Sequence, residues 1–412
     1  MRLQVENFKN IGKLSMELKP LTIILGPPVS GKSNLLEAIE LLGFLGKLLR
    51  LDMLYRDINS FCNSEPSLRE ALRIDNPLEV FPWMDPQNQP KLALEAEGSA
   101  HIEASLVVEK GKLHVKYTLT RFDVSLSAET IAPIAVVGYA ELSHYCKEIL
   151  EESRRKLLKS LGDAGKQNSD YNLLLEQGVI EARLYGYERY AIEARLEDVL
   201  RCVHDSCMQP DILLSETGGN LAYIASISPL PLRRLQEWIN EVTGGLIELK
   251  ARTRDFREVI FFSREVEIPP RLVSDTIIRV LYYTLALYTA ARYAKLYSLQ
   301  GRVLVLLEEP EARTFPYSFE LLAKSIREAL DAGVYVALTT HNGVLASKLL
   351  DVVGKDELGV YYAYSGRDGY MRLREVSVDT LAEKLMLPDD LLLMKPEEVL
   401  RELGGVGEAS GW

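Results

Sequence analysis

The residues from Gly26 to Ser33, Gly-Pro-Pro-Val-Ser-Gly-Lys-Ser, combine side chains and spacing that a bound triphosphate requires. Backbone N–H groups from Ser30 through Ser33 can converge on a β-phosphate at a helix N-terminus, and Gly31 allows an approach that a side chain would block. Lys32 would reach the β- and γ-phosphates and Ser33 would hold Mg2+. The cradle is therefore expected from Gly26, Pro27, Pro28, Val29, Ser30, Gly31, Lys32, Ser33 and Asn34. Both flanks agree: Leu21 to Leu25 suits a buried strand, and Asn34 to Leu42 repeats apolar residues at helical spacing, which a chance Gly/Pro turn would not require.

Magnesium-dependent hydrolysis also needs a carboxylate near the metal, a group that orients water and a sensor of the γ-phosphate. Glu308 closes the apolar run Val303 to Leu307 and is the expected metal residue beside Ser33, acting through the ion's water shell. Glu309 follows it, is expected to point to the other side of an extended chain, and could accept a proton from the attacking water. His341 ends the next run, Val334 to Leu338 with Thr339-Thr340, where an imidazole can bond a γ-phosphate oxygen or hold the water. The catalytic pair is thus Glu309 and His341, with ATP and Mg2+ as cofactors.

Several elements must hold these groups in place. Arg2 to Phe8, Lys13 to Leu18 and Leu21 to Leu25 read as three strands of a sheet that leads into the loop, and Lys91 to Val124 alternates as an antiparallel meander carrying His101 and His114 as ordinary strand residues. Asp57 to Gln89 offers no sustained period. From Glu141 the pattern turns helical, with a further long helix expected over Tyr187 to Met208 and another over Leu230 to Thr243. Gly245 to Ile268 reads as a hairpin. Ser274 caps a helix running to about Tyr297, Tyr317 to Ala332 is amphipathic, and Gly359 to Ser365 and Tyr370 to Val376 are strands before terminal helices from Asp379 to Leu403. Strands alternating with helices imply a parallel α/β core. The expected division is 1–140, an N-terminal lobe with the loop and meander; 141–244, a mostly helical insertion; and 245–412, a C-terminal α/β lobe.

A chain of 412 residues suits two or three lobes, and 47% hydrophobic with 26% charged residues is ordinary for a globular protein. The net charge of −11 argues against a nucleic-acid-coated surface and leaves DNA only local basic patches; Lys250, Arg252, Arg254 and Arg257 give the later hairpin a basic edge. The cluster Arg154, Arg155, Lys156 and Lys159 follows Glu148, Glu151 and Glu152 and reads better as a solvated helix face. The four cysteines contain no C-x-x-C pair; Cys202 and Cys207 flank His204, yet read as helix cysteines rather than metal ligands. Glu37, Glu40, Lys47 and Arg50 interrupt the apolar helix after the loop, so it cannot span a bilayer, and Met1 to Gly12 shows no basic-then-apolar signal. A cytoplasmic location without membrane contact is the expectation.

The opening VENFKNIGKLSMELKPLTIILG, the loop with NLLEAI after it, LVLLEEPEA and ALTTHN occur in an order that resembles the SMC/RecF-like ATPase heads of the ABC class, especially the AAA-labelled ATPases related to the OLD family. The likeness covers about residues 1–45 and 270–345. It implies a P-loop NTPase of the ABC-ATPase type with an antiparallel β lobe and a helical insertion, and a homodimer closing across ATP. It also implies a role in DNA repair, maintenance or defence, with a separate nuclease or effector protein as partner. By the same resemblance, Ser274 belongs to the signature that faces the partner's nucleotide. This chain departs from the pattern in having Pro28 where Asn is usual, Thr276 where the signature has glycine, and Arg313 and Phe315 where His is frequent. Gln87 and Gln89 cannot be assigned as a metal-sensing glutamine. A nucleotide-dependent switch that signals to a partner with little hydrolysis is the alternative reading; a transporter ATPase fits less well, since no coupling segment is evident.

Overall fold

The computed structural model describes residues 1–48, 72–74, 77–96, 100–109, 112–121, 124–133, 180–202, 213–252, 257–385 and 394–403. The chain opens with β1 (Arg2–Phe8), β2 (Ile11–Glu17) and β3 (Leu21–Leu25), then α1 (Lys32–Leu48). It continues with β4 (Lys91–Glu95), β5 (Ala100–Glu109), β6 (Lys112–Arg121) and β7 (Val124–Pro133), and resumes at β8 (Glu181–Tyr185). Next come α2 (Leu196–Leu200), β9 (Arg201–Cys202), α3 (Leu221–Ile227), α4 (Pro229–Thr243), β10 (Glu248–Arg252), β11 (Arg257–Ser263) and β12 (Val266–Ile268). The last part holds α5 (Asp275–Leu296), β13 (Val303–Glu308), α6 (Phe319–Asp331), β14 (Val334–Thr339), α7 (Gly343–Val352), β15 (Leu358–Ser365), β16 (Met371–Glu375), α8 (Val378–Leu385) and α9 (Pro396–Glu402).

Among the described residues the strands form a six-stranded antiparallel sheet, β2-β1-β4-β5-β6-β7, and a six-stranded sheet, β16-β15-β3-β14-β13-β8, parallel except for β16. A smaller sheet joins β10, β11 and β12, with β9 against β11. The parallel sheet is covered on both faces, which period-two alternation makes possible. Leu21, Ile23, Leu25, Val305, Leu307, Val336 and Leu338 pack with α5 and α6, whereas Ile24, Leu304, Leu306 and Ala337 pack with α1 and the antiparallel sheet. Helix α1 is thus sandwiched between the two large sheets. Helix α5 is buried along most of its length, from Ile277 to Ala294.

Several expectations are corrected. Strand β3 does not continue the sheet of β1 and β2: those strands alternate buried and exposed residues, as a half-solvated antiparallel pair does, while β3 is buried throughout and pairs with β14 and β15. Glu181–Tyr185, inside the stretch expected to be helical insertion, is a strand of the parallel sheet beside β13. Its Glu181 and Arg183 interrupt the apolar run that marks a buried strand, and they are accommodated by pairing: Arg183 Nε donates to Glu181 Oε1 at 2.9 Å and Nη1 to Glu216 Oε2 at 3.3 Å. The long helix expected from Tyr187 is a series of turns followed by a 3-10 turn at Glu193–Arg195, the five residues of α2 and β9, which carries Cys202. Buried Tyr187, Tyr190, Ile192 and Leu196 imitate helical spacing there. The meander gains β7, paired along its length with β6. The expected hairpin has a third strand, reached through Arg264 and Glu265 in left-handed conformation (φ 48° and 69°), a turn with no glycine to announce it. The helix from Glu141, its basic cluster, Arg254, His204 and Cys207 lie outside the described residues. Among those residues no helix is long and apolar enough to cross a membrane.

Candidate functional site

The C-terminal ends of the parallel strands bring the chemistry together. Ile24, Thr339 and Glu308 are register partners across β3, β14 and β13, so the start of the phosphate loop and the strand-ending acid lie about 10 Å apart along the sheet edge. The loop between β3 and α1 is built around special backbone. Gly26 (φ 143°) passes so close to β15 that a Cβ would lie 2.2 Å from the Ala363 carbonyl oxygen. Gly31 (φ 94°) meets the β1–β2 turn, where a Cβ would lie 2.6 Å from Asn10 Oδ1. Val29 is left-handed as well (φ 66°) and 92% exposed, so the loop presents backbone rather than a packed side chain at its tip.

Lys32, on the first residue of α1, is buried and folds back over the loop: its ammonium donates to the carbonyls of Gly26 at 3.0 Å and Pro27 at 2.8 Å. Burial lowers its pKa to about 8, against the opposing charges of Glu309, Glu311 and Glu308. Ser30 is buried with a hydroxyl that has no hydrogen-bond partner. An orphaned hydroxyl, a folded-back lysine and a glycine cradle at a helix N-terminus fit a polyphosphate, which would supply acceptors for each donor. Asn34 turns from the loop; its amide nitrogen donates to Asn10 Oδ1 at 2.8 Å.

Glu308 ends β13 and is buried; with Ser33 it is the pair that would hold Mg2+. Arg189 chelates the Glu308 carboxylate, Nε to Oε2 at 2.9 Å and Nη2 to Oε1 at 3.0 Å, and Arg73 Nη2 adds a bond to Oε2 at 2.7 Å. Burial pushes this carboxyl up, but Arg189, then Arg73 and Ser33, outweigh it and hold it below the usual range. Strand alternation, expected from the sequence, does not place Glu309. Its φ is 42°, and this left-handed kink turns the carboxylate toward β14, where His341 Nε2 lies 2.8 Å from Oε1. The hydrogen bond from His341 lowers the Glu309 pKa, burial opposing it. The carboxylate is therefore ionised and oriented at neutral pH.

Glu311 braces this arrangement. Its Oε1 accepts from Thr340 Oγ1 at 2.5 Å and from the His341 backbone N–H at 2.8 Å, fixing the end of β14, while burial raises its pKa. Ser274 is exposed at the N-cap of α5; its carbonyl accepts from Ile277, and its hydroxyl makes no capping bond. Behind it Arg279 is buried, paired with Asp275 at 2.7 Å and Glu188 at 3.0 Å. Sequence reasoning missed Asn10, Arg73, Arg189 and Glu311 as site residues. Asn10 lies in the quoted opening VENFKN and Glu311 in LVLLEEPEA; for Arg189 and Arg73 no local pattern gives a signal.

No family model and no curated protein matches the chain. Among solved structures it is similar to an SMC head bound to the C-winged helix domain of ScpA (13% identity, 93% of this chain and 98% of that one, TM-score 0.45). It is also similar to the SMC head domain from Thermotoga maritima (10% identity, 92% and 98%, TM-score 0.36). A third is the Smc head domain with an extended coiled coil bound to the C-terminal domain of ScpA, derived from Pyrococcus furiosus (13% identity, 94% and 98%, TM-score 0.40).

Proposed function

We propose that this protein is an ATP-binding head of the ABC-ATPase type that hydrolyses ATP slowly and uses the nucleotide to control self-association. The observation that carries the reading is the row Ile24, Thr339, Glu308: it sets the lysine loop, the His341 strand end and paired acids along one sheet edge. Lys32 and the loop N–H groups bind the β- and γ-phosphates; the ammonium exchanges the Gly26 and Pro27 carbonyls for phosphate oxygens. Ser33 and Glu308 would hold Mg2+, which would supply positive charge to the phosphate oxygens. Glu309 takes the proton of the attacking water, and His341, hydrogen-bonded to it, fixes its orientation and faces the γ-phosphate. A carboxylate with a lowered pKa is a weak base, which supports slow turnover.

The exposed N-terminus of α5, with Ser274 as cap, is the surface on which the partner copy's nucleotide would lie. A role in DNA repair, maintenance or defence rests on the sequence resemblance. The alternative, a switch with little hydrolysis, is favoured by one observation: Glu308 is already engaged by two guanidinium groups. Single-turnover hydrolysis with Mg2+ separates the two. Phosphate release that disappears in Glu309→Gln supports the ATPase, and ATP binding with no release in the parent supports the switch.

A further inference from the structure

Arg189 lies outside the loop and strand ends that the proposed chemistry uses, yet its fully buried side chain joins two acids of the site. Besides chelating Glu308, its Nη1 donates to Glu37 Oε1 at 2.8 Å, and Glu37 on α1 is itself buried and paired with Lys9 at 2.5 Å. Backbone placement makes this contact: Tyr185 of β8 is the register partner of Leu307, so Gly186 lies beside Glu308. A Cβ on Gly186 would fall 2.9 Å from Glu308 Oε2 and 2.9 Å from Arg189 Cβ, so a side chain there would push the two apart.

Glu37 and Glu308 are held by Lys9, Arg73 and Arg189, and Glu308, Glu309 and Glu311 act on Lys32. Three guanidinium N–H groups fill three of the roughly four acceptor positions on Glu308. Although acids are concentrated here, no group of three His, Cys, Asp or Glu side chains among the described residues is arranged to hold a metal ion.

We infer that Arg189 is a positioning residue that serves as a resident cation for Glu308, keeping a divalent ion out until a triphosphate brings its own oxygens; its use in a catalytic cycle rests on the nucleotide reading above. Arg189 stays in place on binding, because leaving would strand Glu37 and Glu308 without their shared partner. Arg73, 46% exposed, is the donor free to withdraw and release an acceptor position for a metal-bound water. The ion then enters together with the phosphates, and nucleotide-free protein does not trap metal.

The test is a titration of Mn2+ into nucleotide-free protein, followed by the paramagnetic resonance signal of the free ion. The parent should leave the ion free. Arg189→Ala opens a guanidinium-sized gap between Glu37 and Glu308 and should gain a one-to-one site at least about tenfold tighter, since a neighbouring positive charge is gone. Adding Glu37→Gln should remove that gain. Two buried carboxylates left with only Lys9 and Arg73 threaten folding, so Arg189→Gln and thermal melts accompany the titration: both Arg189 variants should melt higher in Mn2+ than in NaCl of equal ionic strength, and the parent should not. Variants that bind Mn2+ like the parent and melt alike in the two salts overturn the inference, as does a parent that binds Mn2+ tightly without nucleotide. ATP calorimetry on the parent reads the nucleotide site separately, so loss of that reading leaves the Mn2+ result standing.

Discussion

Replacing Glu309 with glutamine separates binding from chemistry. The glutamine keeps the volume and can still accept the hydrogen bond from His341 Nε2 that the carboxylate makes at 2.8 Å, but it cannot take a proton from water. Loss of a positioned base costs roughly two to four orders of magnitude in rate, about 2.7 to 5.5 kcal/mol of barrier. ATP affinity should change little at pH 7, because Lys32 and the loop are untouched. Glu309 is the largest of the charges that raise the Lys32 pKa, so the variant's lysine should lose its proton at a lower pH than the parent's value of about 8. Single-turnover hydrolysis with protein in excess over labelled ATP, paired with equilibrium binding on the same sample, measures both. Turnover in Glu309→Gln equal to that of the parent would refute the assignment of the base.

His341→Ala removes the hydrogen bond that most lowers the Glu309 pKa, so the acidic limb of the rate profile should move to higher pH; because the same bond orients the base, the rate at pH 7 should fall by about tenfold or more, read in the same assay. The Lys32 ammonium is already protonated below a pKa of about 8, and above it ATP must bind together with a proton. Affinity should therefore hold steady below pH 8 and fall by up to about tenfold per unit above it, with calorimetry in two buffers showing proton uptake only on the alkaline side; no uptake at pH 9 contradicts this. In ATP-Mg, Glu309→Gln should form a loose dimer that dissociates on dilution. Thr276 Oγ1 lies 3.5 Å from the Arg313 carbonyl; if its side chain crowds the proposed dimer surface, Thr276→Gly should tighten the dimer, while Ser274→Arg should abolish it. Light scattering after size exclusion checks this, and a strict monomer at high protein and ATP concentration rules out the head dimer.

The local parts of the site were legible because each is written in contiguous residues. The loop declares its strand, turn and helix within Leu21 to Leu42, and Glu308 and Thr339 end apolar runs that become adjacent strands. Illegible were contacts made by charges that the fold buries. Glu181 and Arg183 satisfy one another inside a central layer, so β8 does not look like a buried strand, and with it went the position of Arg189 beside Glu308. Glu37 reads as a residue interrupting an apolar helix face, yet it is buried there because Lys9 and Arg189 converge on it from distant parts of the chain. The direction of Glu309 depends on one left-handed φ that no glycine signals.

The central claim, that the loop between β3 and α1 binds a nucleoside triphosphate, is tested most directly by calorimetry of ATP-Mg with the parent and with Lys32→Ala. Truncating a buried charge that holds phosphate oxygens costs about 2 to 5 kcal/mol, so the variant should bind roughly thirty-fold to several thousand-fold more weakly while melting cooperatively as a folded protein. A folded Lys32→Ala that binds ATP-Mg as tightly as the parent, or a parent that does not bind it, would contradict the account.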